Sequence, residues 1–309
     1  MSGIMLNFAG VNAGSKPGAP TIGTATATSN TTATVAYTAP ASDGGATITS
    51  YTATSSPSGI TGTLSQAGSG TITVSGLTAS TSYTFTVTAT NAVGTSAASA
   101  ASNSTTTLPA AFGDSYGGGY FAGQISTAGN GVATHNLVVG PVASAQSASK
   151  TWKTSRTLTT GTSSVIDGPT NSSNMNNASH PAAQFCEAVS VGGFTDWYMP
   201  ARYELEVCYY NLKPTTQVNS TSFGANSYAV PIRASNYTSS IPAQTSATNF
   251  RDTGTEDFNT SPTYYLNMYW SSTEGSVNVS FIQYFDSGYG GARYKNTPYF
   301  VRAIRRVSV

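Results

Sequence analysis

Short runs of alternating apolar and β-branched residues fill the chain between Pro20 and Thr107. Two of these runs are residues 33–37, ATVAY, and residues 84–89, TFTVTA. The runs are separated by Gly, Pro, Ser and Asp at the spacing of an antiparallel sandwich, in which every second side chain faces the core. The pattern therefore predicts an all-β sandwich for this part of the chain.

The charged side chains divide the sequence into two differently built parts. Residues 1–113 carry only Lys16 and Asp43, and every other charged side chain follows from Asp114 onward. The length of 309 residues also exceeds that of most single domains. We expect four segments: an N-terminal arm at 1–19, a sandwich at 20–107, a linker at 108–113 and a second domain at 114–309.

Composition argues against two classes of partner. The formal net charge is +1, and no stripe of Lys and Arg is present to follow a phosphate backbone. No stretch of about 18 apolar residues occurs, and the first residues lack the basic segment of a secretory signal. We therefore expect no nucleic-acid binding, no membrane insertion and no secretory signal.

Several residues of the sandwich pattern resemble one family. They are Tyr37 before an Ala-Pro pair, the Asp-Gly-Gly turn at 43–45, and Tyr83 leading into the last alternating run. This part of the chain resembles a fibronectin type III domain. The resemblance implies that Tyr83 is the tyrosine-corner residue and that Tyr37 stands where the family usually has Trp. Because its surface is nearly uncharged, we expect a spacer, with weak glycan binding as the alternative.

Three motifs follow one another in the second part of the chain. They are residues 192–205, GGFTDWYMPARYEL, residues 269–274, YWSSTE, and residues 300–305, FVRAIR; residues 114–125, DSYGGGYFAGQI, precede them. They resemble the Lcl or DUF1566 group of C-type-lectin-like domains. The resemblance implies an α+β domain with two helices and long loops, whose first and last strands pair and whose surface binds a ligand.

Two helices are predicted around the first of these motifs. One starts at residues 179–181, SHP, carries Cys186 on its apolar face and stops at Gly192. The other runs between Pro200 and Pro214 and carries Cys208 on its apolar face. Both cysteines are therefore predicted to be core residues rather than reactive thiols, and whether they are bonded stays open.

Six polar and aromatic positions of the motifs are assigned structural roles: Asp196, Trp197, Glu204, Trp270, Arg302 and Arg305. The two tryptophans are expected in the core. Because a buried carboxylate beside Arg pairs with it, we expect the acidic residues to bind the arginines of the last strand and to fix the loop between the helices. A carboxylate that contacts sugar is the alternative.

Tyrosines beside Ser, Asn and Gly are frequent after residue 215, a combination typical of recognition surfaces. Residues 287–295, SGYGGARYK, predict a mobile hairpin with an aromatic and basic tip. The candidate ligand-binding residues are Tyr289, Tyr294, Arg293, Tyr264 and Tyr265.

No catalytic residue, metal or cofactor is expected. The chain shows no nucleophile–base pair, phosphate loop or cofactor fingerprint, and its two His cannot supply a catalytic triad and a metal site together. The calcium-dependent sugar-binding lectins of the wider superfamily carry Glu-Pro-Asn or Gln-Pro-Asp with Trp-Asn-Asp, and none of these tripeptides is present.

A fibronectin-like spacer before a lectin-like head resembles a surface protein of a tailed bacteriophage. We therefore expect a non-enzymatic virion protein, a fibre or appendage assembled in the host cytoplasm and displayed on the particle surface. The head would contact a host surface glycan or protein, and trimers would add avidity. The arm at 1–19 either docks on other virion proteins or packs on the sandwich. The alternatives are a capsid or tail decoration protein without receptor contact, and a bacterial surface adhesin.

Overall fold

The computed structural model describes residues 14–260 and 267–309. The chain divides into two compact units, Met1–Ala110 and Ala111–Val309. The described end of the predicted arm bonds to the first unit: Ser15 donates its backbone N–H to Gly44 O at 2.7 Å, and Asn91 Nδ2 donates to Ser15 O at 2.8 Å. No helix in the described ranges is long and apolar enough to cross a membrane.

The first unit is a two-sheet β-structure. Its described strands are β1 (Thr21–Ala27), β2 (Thr32–Thr38), β3 (Ile48–Ser56), β4 (Thr61–Leu64), β5 (Gly70–Ser75), β6 (Ser82–Asn91), β7 (Gly94–Thr95) and β8 (Thr105–Thr106). One sheet has the order β1-β2-β5 and the other the order β4-β3-β6-β7, with β8 paired to β6. Every second residue of β6 is buried, as the period-two pattern predicts.

Two tyrosines organise the core of this unit. The Tyr37 ring centroid lies 4.2 Å from that of Tyr51 in the facing sheet, and its hydroxyl donates to Gly68 O at 3.1 Å. The Tyr83 hydroxyl accepts the backbone N–H of Thr78 at 3.0 Å, which is the upstream bond of a tyrosine corner. Tyr37 thus fills the inter-sheet space and satisfies its own polar end.

A serine ladder, defined as Ser96, Ser99 and Ser102, covers one edge of β6. Each serine donates its backbone N–H to a β6 carbonyl and accepts the N–H of the same β6 residue on its hydroxyl. The β6 partners are Ala89, Val87 and Phe85, with N–H to carbonyl distances of 2.8, 2.9 and 2.8 Å and hydroxyl distances of 3.0, 2.9 and 3.0 Å. The hydroxyls replace the carbonyls of a regular neighbouring strand and keep the edge closed.

The second unit combines one antiparallel sheet and one mixed sheet with short helices. Its described elements are β9 (Ser115–Tyr116), β10 (Gly119–Ile125), β11 (His135–Val139), α1 (Val142–Ala145), β12 (Gln146–Thr151), α2 (Gly168–Ser173), α3 (Pro181–Glu187), α4 (Arg202–Leu212), β13 (Ala229–Val230), β14 (Met268–Glu274), β15 (Val279–Tyr284), β16 (Gly290–Tyr294), β17 (Pro298–Arg302) and β18 (Ile304–Ser308). The sheet orders are β13-β10-β11-β18, with β9 paired to β10, and β12-β17-β14-β15-β16.

The expected pairing of the first and last strands is wrong. The hairpin strand β11 lies between β10 and β18, so the last strand pairs with β11 instead. The predicted closing strand also divides at the buried Ala303 between the two sheets. Ala303 N donates to Ala145 O at 2.8 Å, and Gly140 N donates to Ala303 O at 2.9 Å. Because α1 and its flanking turn take these bonds, the chain crosses from one sheet to the other here.

The two predicted helices are present as α3 and α4. His180 is the N-cap residue of α3, which ends at Glu187 rather than at the predicted stop of Gly192. The helices α1 and α2 are additional, because segments of 4 and 6 residues are too short to show helical periodicity. Cys186 and Cys208 are fully buried and free, so they do not form a disulfide. Trp197 and Trp270 are both in the core, 1% and 0% exposed.

His180 belongs to a buried polar cluster beside α3. Its Nε2 lies 2.9 Å from Thr159 Oγ1, and its Nδ1 lies 2.9 Å from Asn177 Oδ1. Because an amide oxygen only accepts, the proton of the neutral ring is on Nδ1. Burial, together with the positive charges of Lys153 and Lys295, lowers the pKa of His180 to about 4. The ring is therefore neutral at neutral pH.

We expect Ser99→Ala to destabilise the first unit by about 1–3 kcal/mol, because it leaves the buried N–H of Val87 without its hydroxyl acceptor. Differential scanning calorimetry of the full chain measures this as a lower unfolding temperature of one transition. Ala98→Ser, at an exposed position between two ladder serines, is the matched control and leaves the transition in place. Equal transitions for both variants would contradict the role of the ladder.

We expect acid to destabilise the second unit through His180. An unfolded His takes up a proton near pH 6.5, whereas the folded ring takes it up only near pH 4, so stability falls as the pH drops through this window. His180→Gln removes this term and flattens the pH dependence. All tryptophans, Trp152, Trp197 and Trp270, lie in the second unit, so urea unfolding followed by Trp fluorescence at about pH 7 and about pH 5 measures it. Parallel pH dependences of the two proteins would show that His180 contributes nothing.

Candidate functional site: a groove at the β15–β16 hairpin

The hairpin of β15 and β16 ends one of the two sheets of the second unit. Two backbone bonds close its turn, from Tyr284 N to Tyr289 O at 2.9 Å and from Gly288 N to Tyr284 O at 3.1 Å. Gly288 has φ of +70°, which favours glycine, and an added Cβ there would lie 2.4 Å from the Tyr209 ring. Tyr289 thus lies at the turn, whereas Tyr294 lies opposite Val279 at the far end of β16.

A groove of about 420 Å³ opens beside this turn. Its size lies within the range of small-molecule sites, roughly 300–1,000 Å³. We call it the hairpin groove, and its lining residues are Val218, Asn219, Ser220, Tyr284, Asp286, Ser287, Tyr289 and Arg293.

Tyr289 forms the exposed aromatic wall of the hairpin groove. Its side chain is 40% exposed, yet two edge-to-face contacts hold the ring, with centroids 4.9 Å from Phe223 and 5.4 Å from Tyr284. Such contacts are favourable because the positive edge of one ring meets the negative face of another. The ring is therefore available to a ligand in a fixed orientation.

One cation and one anion line the groove. Arg293 Nη2 donates to Tyr284 Oη at 2.7 Å and its Nη1 donates to Ala292 O at 3.0 Å, and the described residues offer it no carboxylate partner. Asp286 accepts from Asn267 Nδ2 at 2.6 Å and from Ser287 Oγ at 2.9 Å. Both groups retain hydrogen-bonding capacity, since a guanidinium has five donors and a carboxylate about four acceptor sites.

Asn219 forms the back wall of the groove, and it is held in place by α4 and by the residue that follows α4. Asn219 is buried, and its Oδ1 accepts from Tyr209 Oη at 2.6 Å and from Lys213 Nζ at 2.7 Å. Its Nδ2 donates to Pro242 O at 2.9 Å. Burial lowers the pKa of Lys213, and the charge of Asp286 opposes this shift. This network fixes the position of segment 217–220 against the turn.

The structure brings together only part of the predicted ligand-binding set. Tyr289 and Arg293 both line the groove, but Tyr294 is 52% exposed elsewhere, with the Arg156 guanidinium carbon 3.8 Å from its ring centroid. Neighbouring strand residues point to opposite faces, so Arg293 and Tyr294 diverge and do not share one tip. Tyr264 and Tyr265 lie outside the described residues.

The pair of Asp196 and Arg305 fixes the loop between α3 and α4 against β18. Arg305 Nε and Nη2 donate to the two carboxylate oxygens at 2.8 and 2.9 Å. The hydrogen bond from Arg305 lowers the pKa of Asp196. The guanidinium carbon also lies 3.7 Å from the ring centroid of Phe194, and Nη1 donates to Gly117 O at 2.9 Å.

Glu204 and Arg302 do not pair with each other. Glu204 is fully buried and accepts from Arg306 Nε at 2.8 Å and from Tyr198 Oη at 2.6 Å. Burial raises the pKa of Glu204, and Arg306 opposes this. Arg302 instead donates Nη2 to Glu256 Oε2 at 2.9 Å. Arg306 and Glu256 were therefore missed by the sequence reasoning; the strand alternation that turns Arg306 to the opposite face from Arg305 was the available signal.

The polar groove residues Asn219 and Asp286 were also missed, because they come from segments that no motif connects. Residues 14–260 and 267–309 contain no group of three His, Cys, Asp or Glu side chains that could hold a metal ion. The chemistry offered by the described groove is therefore that of an aromatic face with hydrogen-bonding and charged groups beside it.

Comparison with known proteins identifies the first unit. Residues 18–105 match the family model of the fibronectin type III domain, which confirms that prediction. No curated protein matches the chain.

Three similar solved structures share only a part of this chain. A crystal structure of titin domains is 31% identical, covers 31% of this chain and 33% of its own, and has a TM-score of 0.26. Titin kinase with its flanking domains is 30% identical, with coverages of 30% and 17% and a TM-score of 0.25. The twitchin kinase region from C. elegans is 21% identical, with coverages of 30% and 17% and a TM-score of 0.25. The chain thus spans a third or less of these structures.

We expect Arg306→Leu to destabilise the second unit by about 3–5 kcal/mol at neutral pH, because it leaves the buried Glu204 without a cation. Lowering the pH toward the unfolded Glu pKa of about 4.3 protonates Glu204 and reduces the deficit. Urea unfolding followed by Trp fluorescence measures both effects. Arg156→Leu, at an exposed arginine, is the control. A loss for Arg306→Leu no larger than for the control would contradict the assignment.

Proposed function

We propose that the second unit is a non-enzymatic recognition module that binds a surface glycan in the hairpin groove. The observation that carries the proposal is the exposed ring of Tyr289, which two edge-to-face contacts hold in place. Arg293 and Asp286 line the same groove. Ligand sites of this kind place a few polar groups around an aromatic surface. The polar groups orient the ligand, and the aromatic ring provides contact area.

The chemistry of the groove suits a sugar better than an apolar ligand. A pyranose ring has C–H groups that pack on the negative face of an aromatic ring, and hydroxyls that both donate and accept. Asp286 accepts hydroxyl protons, whereas Arg293 donates to ring and hydroxyl oxygens. Both lie in the groove with Tyr289, so one sugar residue can meet all three.

We also propose which type of domain this module is and which particle displays it. The motifs at 192–205, 269–274 and 300–305 support a lectin-like domain of the Lcl or DUF1566 type, displayed on a tailed-phage particle as a fibre or surface appendage. The fibronectin type III domain then serves as a spacer, since its sequence offers almost no charged side chains for recognition. Contact with a host surface glycan is the function we propose for the whole arrangement.

The proposal predicts that Tyr289→Ala and Arg293→Gln each weaken glycan binding by at least about tenfold, which corresponds to about 1.4 kcal/mol. Tyr294→Ala is the matched control, because Tyr294 is exposed on the same hairpin but lies outside the groove. A glycan array probed with the multivalently displayed chain identifies ligands, and titration of the best one with the three variants gives the affinities.

Loss of binding in Tyr294→Ala with full binding in Tyr289→Ala would move the site away from the groove. Absence of any glycan binding by the wild-type chain would overturn the proposed function itself. Thermal unfolding of each variant establishes that the fold is retained.

A further inference from the structure

A second pocket, of about 220 Å³, lies between the start of α4, segment 222–225 and β15. It shares no lining residue with the hairpin groove. Its volume is below the roughly 300–1,000 Å³ of drug-sized sites, so it suits a small chemical group rather than an oligosaccharide. The residues that matter for its chemistry are Arg202, Glu206 and Gln283.

Arg202 is a cation without an ionic partner. Its guanidinium carbon lies 4.5 Å from the ring centroid of Phe281 and 5.6 Å from that of Tyr203, and its side chain forms no ion pair or hydrogen bond with the described residues. It is also the first residue of α4, where the helix dipole disfavours positive charge. Helix stability therefore does not explain this arginine, while its five N–H donors are free for a ligand.

Gln283 is the second unusual group in the pocket. The residue is only 5% exposed, and its Nε2 donates to Tyr284 O at 3.3 Å. This bond orients the amide, because the opposite orientation would bring two oxygens together. Oε1 accepts no hydrogen bond from a described residue. It is nevertheless accessible, because Ser280 Oγ is the only side-chain N or O atom of the described residues that is both inaccessible and without a hydrogen-bond partner. Oε1 thus lacks a donor and has accessible surface, on a residue that lines the pocket.

Glu206 does not cancel the charge of Arg202. Its carboxylate is bound by Arg233, by Asn226 Nδ2 at 2.6 Å and by Tyr237 Oη at 2.5 Å. The Arg233 pair neutralises Glu206 within its own network. The guanidinium of Arg202 thus leaves the pocket with a net positive charge.

We propose that this pocket binds a small carboxylate that carries a neighbouring N–H, with the carboxylate on Arg202 and the N–H donated to Gln283 Oε1. Arg pairs with a planar carboxylate through two parallel hydrogen bonds, and a buried amide oxygen requires a donor. A free N-acylated amino acid and the C-terminal residue of a peptide share this chemistry. The site is independent of the glycan groove, and its ligand class differs.

Isothermal titration of the full chain with N-acetylglycine tests the proposal, and N-acetylglycinamide is the neutral comparison. The acid is expected to bind saturably and at least about tenfold more tightly than the amide, as the loss of a charge-assisted hydrogen bond implies. An N-acetylated pentaglycine acid distinguishes the two sources: tighter binding than N-acetylglycine identifies a peptide C-terminus, and weaker binding identifies a free small acid. Both results support the carboxylate chemistry.

Arg202→Gln is expected to weaken binding of the acid at least about tenfold and to remove the preference over the amide. Arg202→Lys keeps the charge but loses the two parallel hydrogen bonds of the guanidinium. Its affinity for the acid is therefore expected to lie between those of the wild-type chain and Arg202→Gln. Arg156→Gln is the matched control, since Arg156 also stacks on an aromatic ring but lies outside the pocket. Equal binding of acid and amide, unchanged binding in Arg202→Gln, or no saturable binding of the acid would overturn the proposal.

Discussion

The buried carboxylates of α4 hold the second unit together. Glu204 binds Arg306 on the terminal strand, and Glu206 binds Arg233 in the long segment that follows the helix. Two residues on one helix turn thus tie together parts of the chain that are far apart in sequence. A buried charge is costly without its partner, so these pairs leave few alternative arrangements of the attached segments. At the end of the same helix, Tyr209 and Lys213 position Asn219 at the back of the hairpin groove.

Charge is scarce in this protein, and the described arginines differ in whether a carboxylate pairs with them. Four of the described arginines form ion pairs with carboxylates: Arg233, Arg302, Arg305 and Arg306. Within the described residues Arg156, Arg202, Arg251 and Arg293 have no such partner, and of these four Arg202 and Arg293 line the two pockets described above. In a chain with 8% charged residues, an unpaired guanidinium in a concave site is better explained by a ligand than by stability.

Local patterns in the sequence predicted the elements but not their assembly. The period-two runs gave the strands of the first unit, and the helical spacing around Cys186 and Cys208 gave α3 and α4. The serines of the ladder recur at every third residue, a spacing that matches no regular strand pattern. The crossing of the chain at Ala303 depends on bonds to α1, which is too short to predict.

The sequence predicted lining residues of the hairpin groove only where they are close together in the chain. Tyr289 and Arg293 lie on one hairpin, whereas Asn219 and Asp286 reach the groove through tertiary contacts that no spacing encodes. The same limit applies to the ion pairs: Asp196 and Arg305 were assigned as motif residues, but Glu256 had no motif to mark it as the partner of Arg302. Partners this far apart in sequence, 46 residues for Glu256 and Arg302, are selected by packing, which the sequence of either segment does not contain.

Hydrogen–deuterium exchange of the full chain, with and without the best-binding glycan of an array, shows whether the hairpin groove is where a glycan binds. Ligand is expected to slow exchange in residues 218–220 and 284–293, the two segments that line the hairpin groove, and to leave the fibronectin type III domain unchanged. Protection confined to the first unit, or to parts of the second unit away from these segments, would contradict binding in the hairpin groove.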